Sequence, residues 1–334
     1  MAALLCAIAC NKSEMKVNEL IQIPDAAYAK GVSAPFCGMI GDALVVAGGA
    51  NFPDKPLLEG GAKRVYADIW CYADAAWTHA GVLPDSTAYG ATFAFDGKLL
   101  FAGGNVNGKT TDKVYSVSLN DGIASVTDFA SLPEPMEQAG WAQDWSRMII
   151  GGGVGTKNIY CFDAASGQWQ KFAELPEPLV QPVFYLTGGK LYVWGGFNPE
   201  TLEVSDKGLC YADGAWTEAP GIPDGGTFTG ATGAVLPDGR LAVIGGVNRE
   251  IFARALHNTP EDRIPYLSKE PQEYRFRKDV YVFDASSGWS LAATADVCAL
   301  AGPGIAAAGE NALYVAGGEL KPGVRSPRIF KIEW

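Results

Sequence analysis

A chain of 334 residues that is 48% hydrophobic can bury a large core. With 19% charged residues, 41 glycines and 20 prolines, it favours strands and tight turns over helices. The net charge of −11 repels phosphate backbones and argues against nucleic acid as a partner, and without an apolar run of about 18 residues no helical membrane span is expected.

Residues 1–16 stand apart. The opening MAALLCAIAC is apolar and ends in small residues and a cysteine, as a bacterial lipoprotein signal does, with Ala7-Ile8-Ala9-Cys10 as the lipobox. On this reading Cys10 carries lipid and tethers a periplasmic or outer-membrane-associated protein. The alternative is a frayed apolar terminus, and the run lacks the basic residues that usually precede a signal's apolar core.

From residue 17 the chain repeats itself. An apolar run ending in paired glycines occurs six times: 44–49, 99–104, 148–153, 191–196, 241–246 and 313–318. After each comes a loop of variable length and then a strand, around 66–72, 114–119, 159–162, 209–211, 280–283 and 329–332. Several of these strands lead through a turn to a tryptophan: Trp77, Trp169, Trp216 and Trp289. A proline-containing corner and a Gly/Ala-rich strand then lead to the next diglycine. A repeat of about 50 residues in this order matches the kelch motif. Each unit is a four-stranded twisted sheet that buries its faces only against neighbours, so a single six-bladed all-β propeller is expected over 17–334. The last unit stops after its third strand, whereas residues 17–24 look like a fourth strand and corner. The N-terminal strand should therefore complete the C-terminal blade and close the ring.

The loops that follow the diglycines share one face with the connections between blades. Three are long: 50–63, 247–277 and 319–327. Long loops on one face of a rigid ring suggest a funnel for a small ligand. Asn51, Asn198 and Asn248 each stand two residues past a diglycine and Asn105 one residue past; they read either as turn residues or as donors to a hydroxylated ligand. The stretch 319–325 is the most chemical, with Glu319, Lys321 and Arg325 just after an apolar strand. A carboxylate there can relay protons and an arginine can grip a carboxylate in bidentate fashion, although a solvated loop reads equally well.

Other chemistries are argued against by what the chain lacks. Residues 103–110 fit GxxxxGK[ST], but the following TDKVYSVSL alternates as a strand, where a phosphate loop needs a helix; a hairpin is expected there. His79 and His257 are the only histidines, too few for a copper centre and in contexts of a strand residue and a loop residue. Cys37, Cys71, Cys161, Cys210 and Cys298 read as small packing residues on separate repeats, too far apart to bridge, and no zinc spacing or cofactor motif appears.

GGELKPGVR (317–325), GGVNREIF (245–252), AYG (88–90), GGANF (48–52), DIW (68–70) and PQEYRFRKDVYVFD (271–284) together resemble the bacterial N-acetylneuraminate epimerases, a family of sialic acid mutarotases. The resemblance runs over 17–334, in circularly permuted order: the family's Glu/Arg loop lies mid-chain, and here it lies near the C-terminus. A closed ring tolerates such a change. The resemblance implies cofactor-independent interconversion of the α and β anomers of N-acetylneuraminic acid, with Glu319 as acid/base and Arg325 as clamp for the sugar's carboxylate. Asn51, Asn198, Asn248, Lys321 and Tyr89 are then expected around the substrate. A sugar-binding propeller without turnover and a kelch protein-interaction module are the competing readings.

Overall fold

A computed structural model describes residues 15–334 of the chain; Cys10 and the lipobox lie outside the described residues. Six four-stranded antiparallel sheets form a ring of blades. Blade 1 takes Phe36–Ile40, Ala43–Ala47, Asp68–Ala73 and Ala76–Val82 from the axis outward. Blades 2 to 5 repeat that order, with innermost strands Ala91–Phe95, Gly140–Gln143, Val180–Thr187 and Ala231–Val235. Blade 6 has three C-terminal strands, Gly304–Gly309, Ala312–Ala316 and Ile329–Glu333, and its outermost strand is Lys16–Glu19. The register Lys16↔Glu333 to Glu19↔Phe330 closes the ring as the repeat predicts.

The diglycines have a specific task. Both residues of every pair adopt positive φ. A Cβ on the first glycine would fall between 2.2 and 2.9 Å from backbone atoms of the segment entering the next blade. Glycine is therefore required by close approach as well as by conformation. In five of the six pairs the second glycine donates its N–H to a carbonyl of that same segment, for example Gly49 to Thr87 and Gly318 to Val32. The outer-strand tryptophans stitch neighbouring blades: Trp77 donates Nε1–H to the Ile21 carbonyl, Trp169 to Ala130 and Trp216 to Glu174. Trp289 instead packs on Trp194, Phe228 and Phe283 with its N–H unpartnered.

Cys37, Cys71, Cys210 and Cys298 are buried and all five described cysteines are free. Burial pushes the Cys37 and Cys298 thiols up to about 12. A thiol reagent at pH 8 is therefore expected to leave these two unlabelled until denaturant unfolds the ring; labelling at native-state rates equal to those of an unfolded peptide would contradict the packing described here. Residues 105–110 form a two-stranded hairpin, not a phosphate loop. The loop 247–277 holds more structure than its sequence suggested. Helix α1 spans Arg249–Leu256 and helix α2 spans Arg263–Leu267. Among the described residues no helix is long and apolar enough to cross a membrane.

Candidate active site

One end of the central channel opens into a cavity of about 200 Å3. Its rim is a ring with one residue from each blade: Ala34, Tyr89, Gln138, Gln181, Gly230 and Gly302. All six have φ between 50° and 70°, in the left-handed region. Each stands where the chain turns from the previous blade into its own innermost strand. Backbone hydrogen bonds run round the axis, from Tyr89 N–H to Ala34 carbonyl, Gln138 to Tyr89, Gln181 to Gln138, Gly302 to Gly230 and Ala34 to Gly302. The sixth link, from Gly230 to Gln181, is not made. Four of these positions carry non-glycine residues at positive φ, a strained geometry that concentrates at functional sites.

Above this ring, the residue after each diglycine pairs with the entering segment. Ala50 pairs with Ser33, Asn105 with Ala88, and Glu319 with Ala301. Across the blades that position holds Ala50, Asn105, Val154, Phe197, Val247 and Glu319. Blade 6 alone places a charge there, and Glu319 is the one acid among the described residues lining the cavity.

The turn Glu319–Arg325 is a two-stranded hairpin in which Glu319 faces Arg325. Arg325 Nη1 bonds Glu319 Oε1, and the Gly323 amide donates to the same oxygen at 3.0 Å. Glu319 Oε2 has no protein partner among the described residues. The Arg325 side chain is 5% exposed, donates Nε–H to the Ala50 carbonyl at 3.2 Å and stacks 5.3 Å from the Phe52 ring centroid. Arg325 thus stands behind Glu319 and does not line the cavity, which corrects the expectation of a clamp open to ligand. Burial, together with nearby charges that include Glu319, raises the Tyr266 and Tyr274 hydroxyls, Tyr274 to about 12. These two phenols near Glu319 therefore stay protonated at neutral pH.

The three long loops meet here. Lys321 Nζ donates to the Lys269 carbonyl at 2.6 Å, and Gly323 lies against Leu57. Lys321 therefore ties the fifth-blade loop to the hairpin, where a substrate contact was expected. The asparagines are corrections too. Asn51 is 1% exposed; it donates to the Ala27 and Gly31 carbonyls and accepts from the Tyr66 hydroxyl. Asn198 donates to Glu177 and accepts from the Glu200 and Thr201 amides. Asn248 caps α1 by accepting from the Ile251 amide. Their short amides satisfy turn backbone, the first of the two readings. Tyr89 does line the cavity, with Lys63 Nζ 4.7 Å from its ring centroid. His79 bonds Asp68 on an outer strand, and His257 is exposed at the end of α1. Among the described residues no group of His, Cys, Asp and Glu is placed to hold a metal.

Sequence reasoning missed Gln138, Gln181, Trp141 and Phe184, all in the cavity wall. The signal was available: Gln138 and Gln181 occupy the column of the repeat that holds Tyr89 of AYG.

Comparison with known proteins agrees with this geometry. A family model described as N-acetylneuraminate epimerase matches residues 129–334, which include the Glu319–Arg325 hairpin. Curated proteins named N-acetylneuraminate epimerase are similar to the chain. The one from Brucella melitensis biotype 1 is 27% identical over 220 residues, 59% of this chain and 56% of that protein. The one from Salmonella typhimurium is 28% identical over 229 residues, 62% and 59% of the two chains. The one from Pasteurella multocida is 28% identical over 223 residues, 61% and 58%. The match thus spans less than two thirds of these relatives' length. A solved structure titled "Structure of YjhT" superposes with a TM-score of 0.53 at 25% identity, covering 60% of this chain and 62% of the other. With the match running through the blade that carries the carboxylate and its arginine, the chain belongs to the N-acetylneuraminate epimerase family.

Proposed function

We propose that this protein is a mutarotase that interconverts the α and β anomers of N-acetylneuraminic acid. The observation that carries the reading is the single carboxylate at the channel mouth, held from behind by a buried arginine. Arg325 and the Gly323 amide occupy Oε1 and leave Oε2 for the ligand. Oε2 takes the proton of the anomeric hydroxyl. The bond between the anomeric carbon and the ring oxygen breaks as that oxygen receives a proton from solvent at the open mouth, giving the open-chain keto acid. Rotation presents the other carbonyl face, and the reverse proton transfers close the ring as the second anomer. Arg325 offsets the negative charge that a sugar carboxylate brings next to Glu319.

The partial overlap with the relatives supports a circular permutation. Six complete blades stand within the described residues, so a linear match limited to part of each chain is what a moved starting blade produces. No cofactor enters the proposed reaction.

Arg325→Lys tests the support of Glu319. Lysine keeps the charge but cannot reach both the Ala50 carbonyl and Oε1 with a planar fork. The expected result is a loss of about tenfold or more in kcat/KM for anomer exchange, followed by NMR on freshly released α anomer. An unchanged value would remove Arg325 from the mechanism. We further propose a lipid tether at Cys10. Palmitate labelling of the expressed protein that disappears in Cys10→Ala supports it, and labelling that persists rejects it.

A further inference from the structure

Resting on the mutarotase reading, we infer that Gln138 and Gln181 form a subsite for the acetamido group of the sugar, and that this pair sets selectivity between acetamido and hydroxyl sugar acids. Gln138 belongs to blade 3 and Glu319 to blade 6, so in a six-bladed ring they stand on opposite sides of the channel. Both glutamines line the cavity. Gln181 Nε2 donates to Gln138 Oε1 at 2.6 Å. Gln138 Nε2 and Gln181 Oε1 then remain without protein partners, and neither is sealed from solvent. A bonded pair of primary amides always leaves an NH2 group free on one side chain and a carbonyl free on the other, whichever way round the two are drawn. That is the complement of a secondary amide, which offers one carbonyl and one N–H.

The backbone points the same way. The ring of hydrogen bonds lacks the one link between the Gln181 carbonyl and the Gly230 N–H, so the Gly230 N–H is left as a further donor beside the pair. Below them Trp141 and Phe184 line both this cavity and the one at the opposite end of the channel, and so supply an apolar floor for a methyl group. In a nine-carbon acetamido sugar acid, the anomeric carbon and the acetamido-bearing carbon lie across the pyranose ring from each other. With the anomeric end at Glu319, the acetamido group points toward blades 3 and 4.

The test uses Gln138→Ala and Gln181→Ala. Alanine already occupies the equivalent ring position at Ala34, with φ 50°, so the backbone tolerates it. Anomer exchange is measured on N-acetylneuraminate and on its analogue bearing hydroxyl in place of acetamido. The wild type is expected to favour the acetamido sugar by at least about tenfold in kcat/KM, and each variant to bring that ratio toward one, chiefly through KM. A ratio unchanged in both variants overturns the subsite. Should the wild type accelerate neither sugar, the mutarotase reading fails, and saturation-transfer NMR then tests the subsite by binding alone. Preference for the acetamido sugar that is lost in the variants upholds it; equal binding of both sugars, or of neither, overturns it.

Discussion

Glu319→Gln is expected to lower protein-accelerated anomer exchange by at least about 100-fold, the low end of what a positioned acid/base group contributes. Glutamine keeps the shape and can still accept from the Gly323 amide through its carbonyl oxygen, but it cannot take up a proton at Oε2. The substitution leaves the Arg325 cation without its counter-charge. Losing one partner of a fully buried pair costs about 3–5 kcal/mol. Here the Glu319 side chain is 27% exposed and the arginine keeps its bond to Ala50, so a cost nearer ~1–2 kcal/mol is expected. A ring of this size should remain folded, which circular dichroism at the assay temperature checks. Activity within a few-fold of wild type in a folded variant would take Glu319 out of the reaction. Loss of activity with retained, acetamido-selective sugar binding would show the acid/base role separately from the binding role.

The second large effect concerns stability. Gly317→Ala should destabilise the ring by about 3 kcal/mol or more, because it combines two costs. At φ 64° an alanine is strained by roughly 1 kcal/mol relative to glycine. Its Cβ would also lie 2.2 Å from the Val32 carbonyl oxygen, in backbone that joins blade 6 to blade 1 and has no free side-chain end to move aside. Gly97→Ala is the matched control. It has φ 70° and open space within 4 Å, so only the conformational cost applies, about 1 kcal/mol. Urea midpoints of the two variants separate the terms. Equal shifts would mean that the blade junction yields, and that the diglycine is there for its dihedral angles alone.

The features legible in the sequence were those set by repetition and by local sterics. The six diglycines, the strand after each and the tryptophan turns recur at similar spacing, so the blade count and the split sixth blade could be read directly. The observed third strands, such as Val114–Asn120 and Asp279–Asp284, differ from the expected ones by only a few residues at their ends. Glu319 was singled out in the sequence by its cluster with Lys321 and Arg325 after an apolar strand, a pattern that a solvated loop fits equally well, and the family resemblance tipped the choice. The helix at Arg249–Leu256 was missed within a long loop, although Asn248 two residues past the diglycine is a good helix cap. The same asparagine was read as a possible sugar contact because a short amide suits both tasks, and only its partner distinguishes them.

By itself, then, the amino-acid sequence determined the ring, its closure and the blade that carries the carboxylate, because these depend on residues near one another in the repeat or on identical columns of it. The tertiary structure decided which polar side chains remain free. Asn51, Asn198 and Lys321 are consumed by groups of the protein itself, Arg325 is buried behind Glu319, and Gln138 meets Gln181 across 43 positions of the chain. A hydrogen-bond donor is available to a ligand only when no carbonyl from another blade has reached it first, and that depends on how the six blades close around the axis.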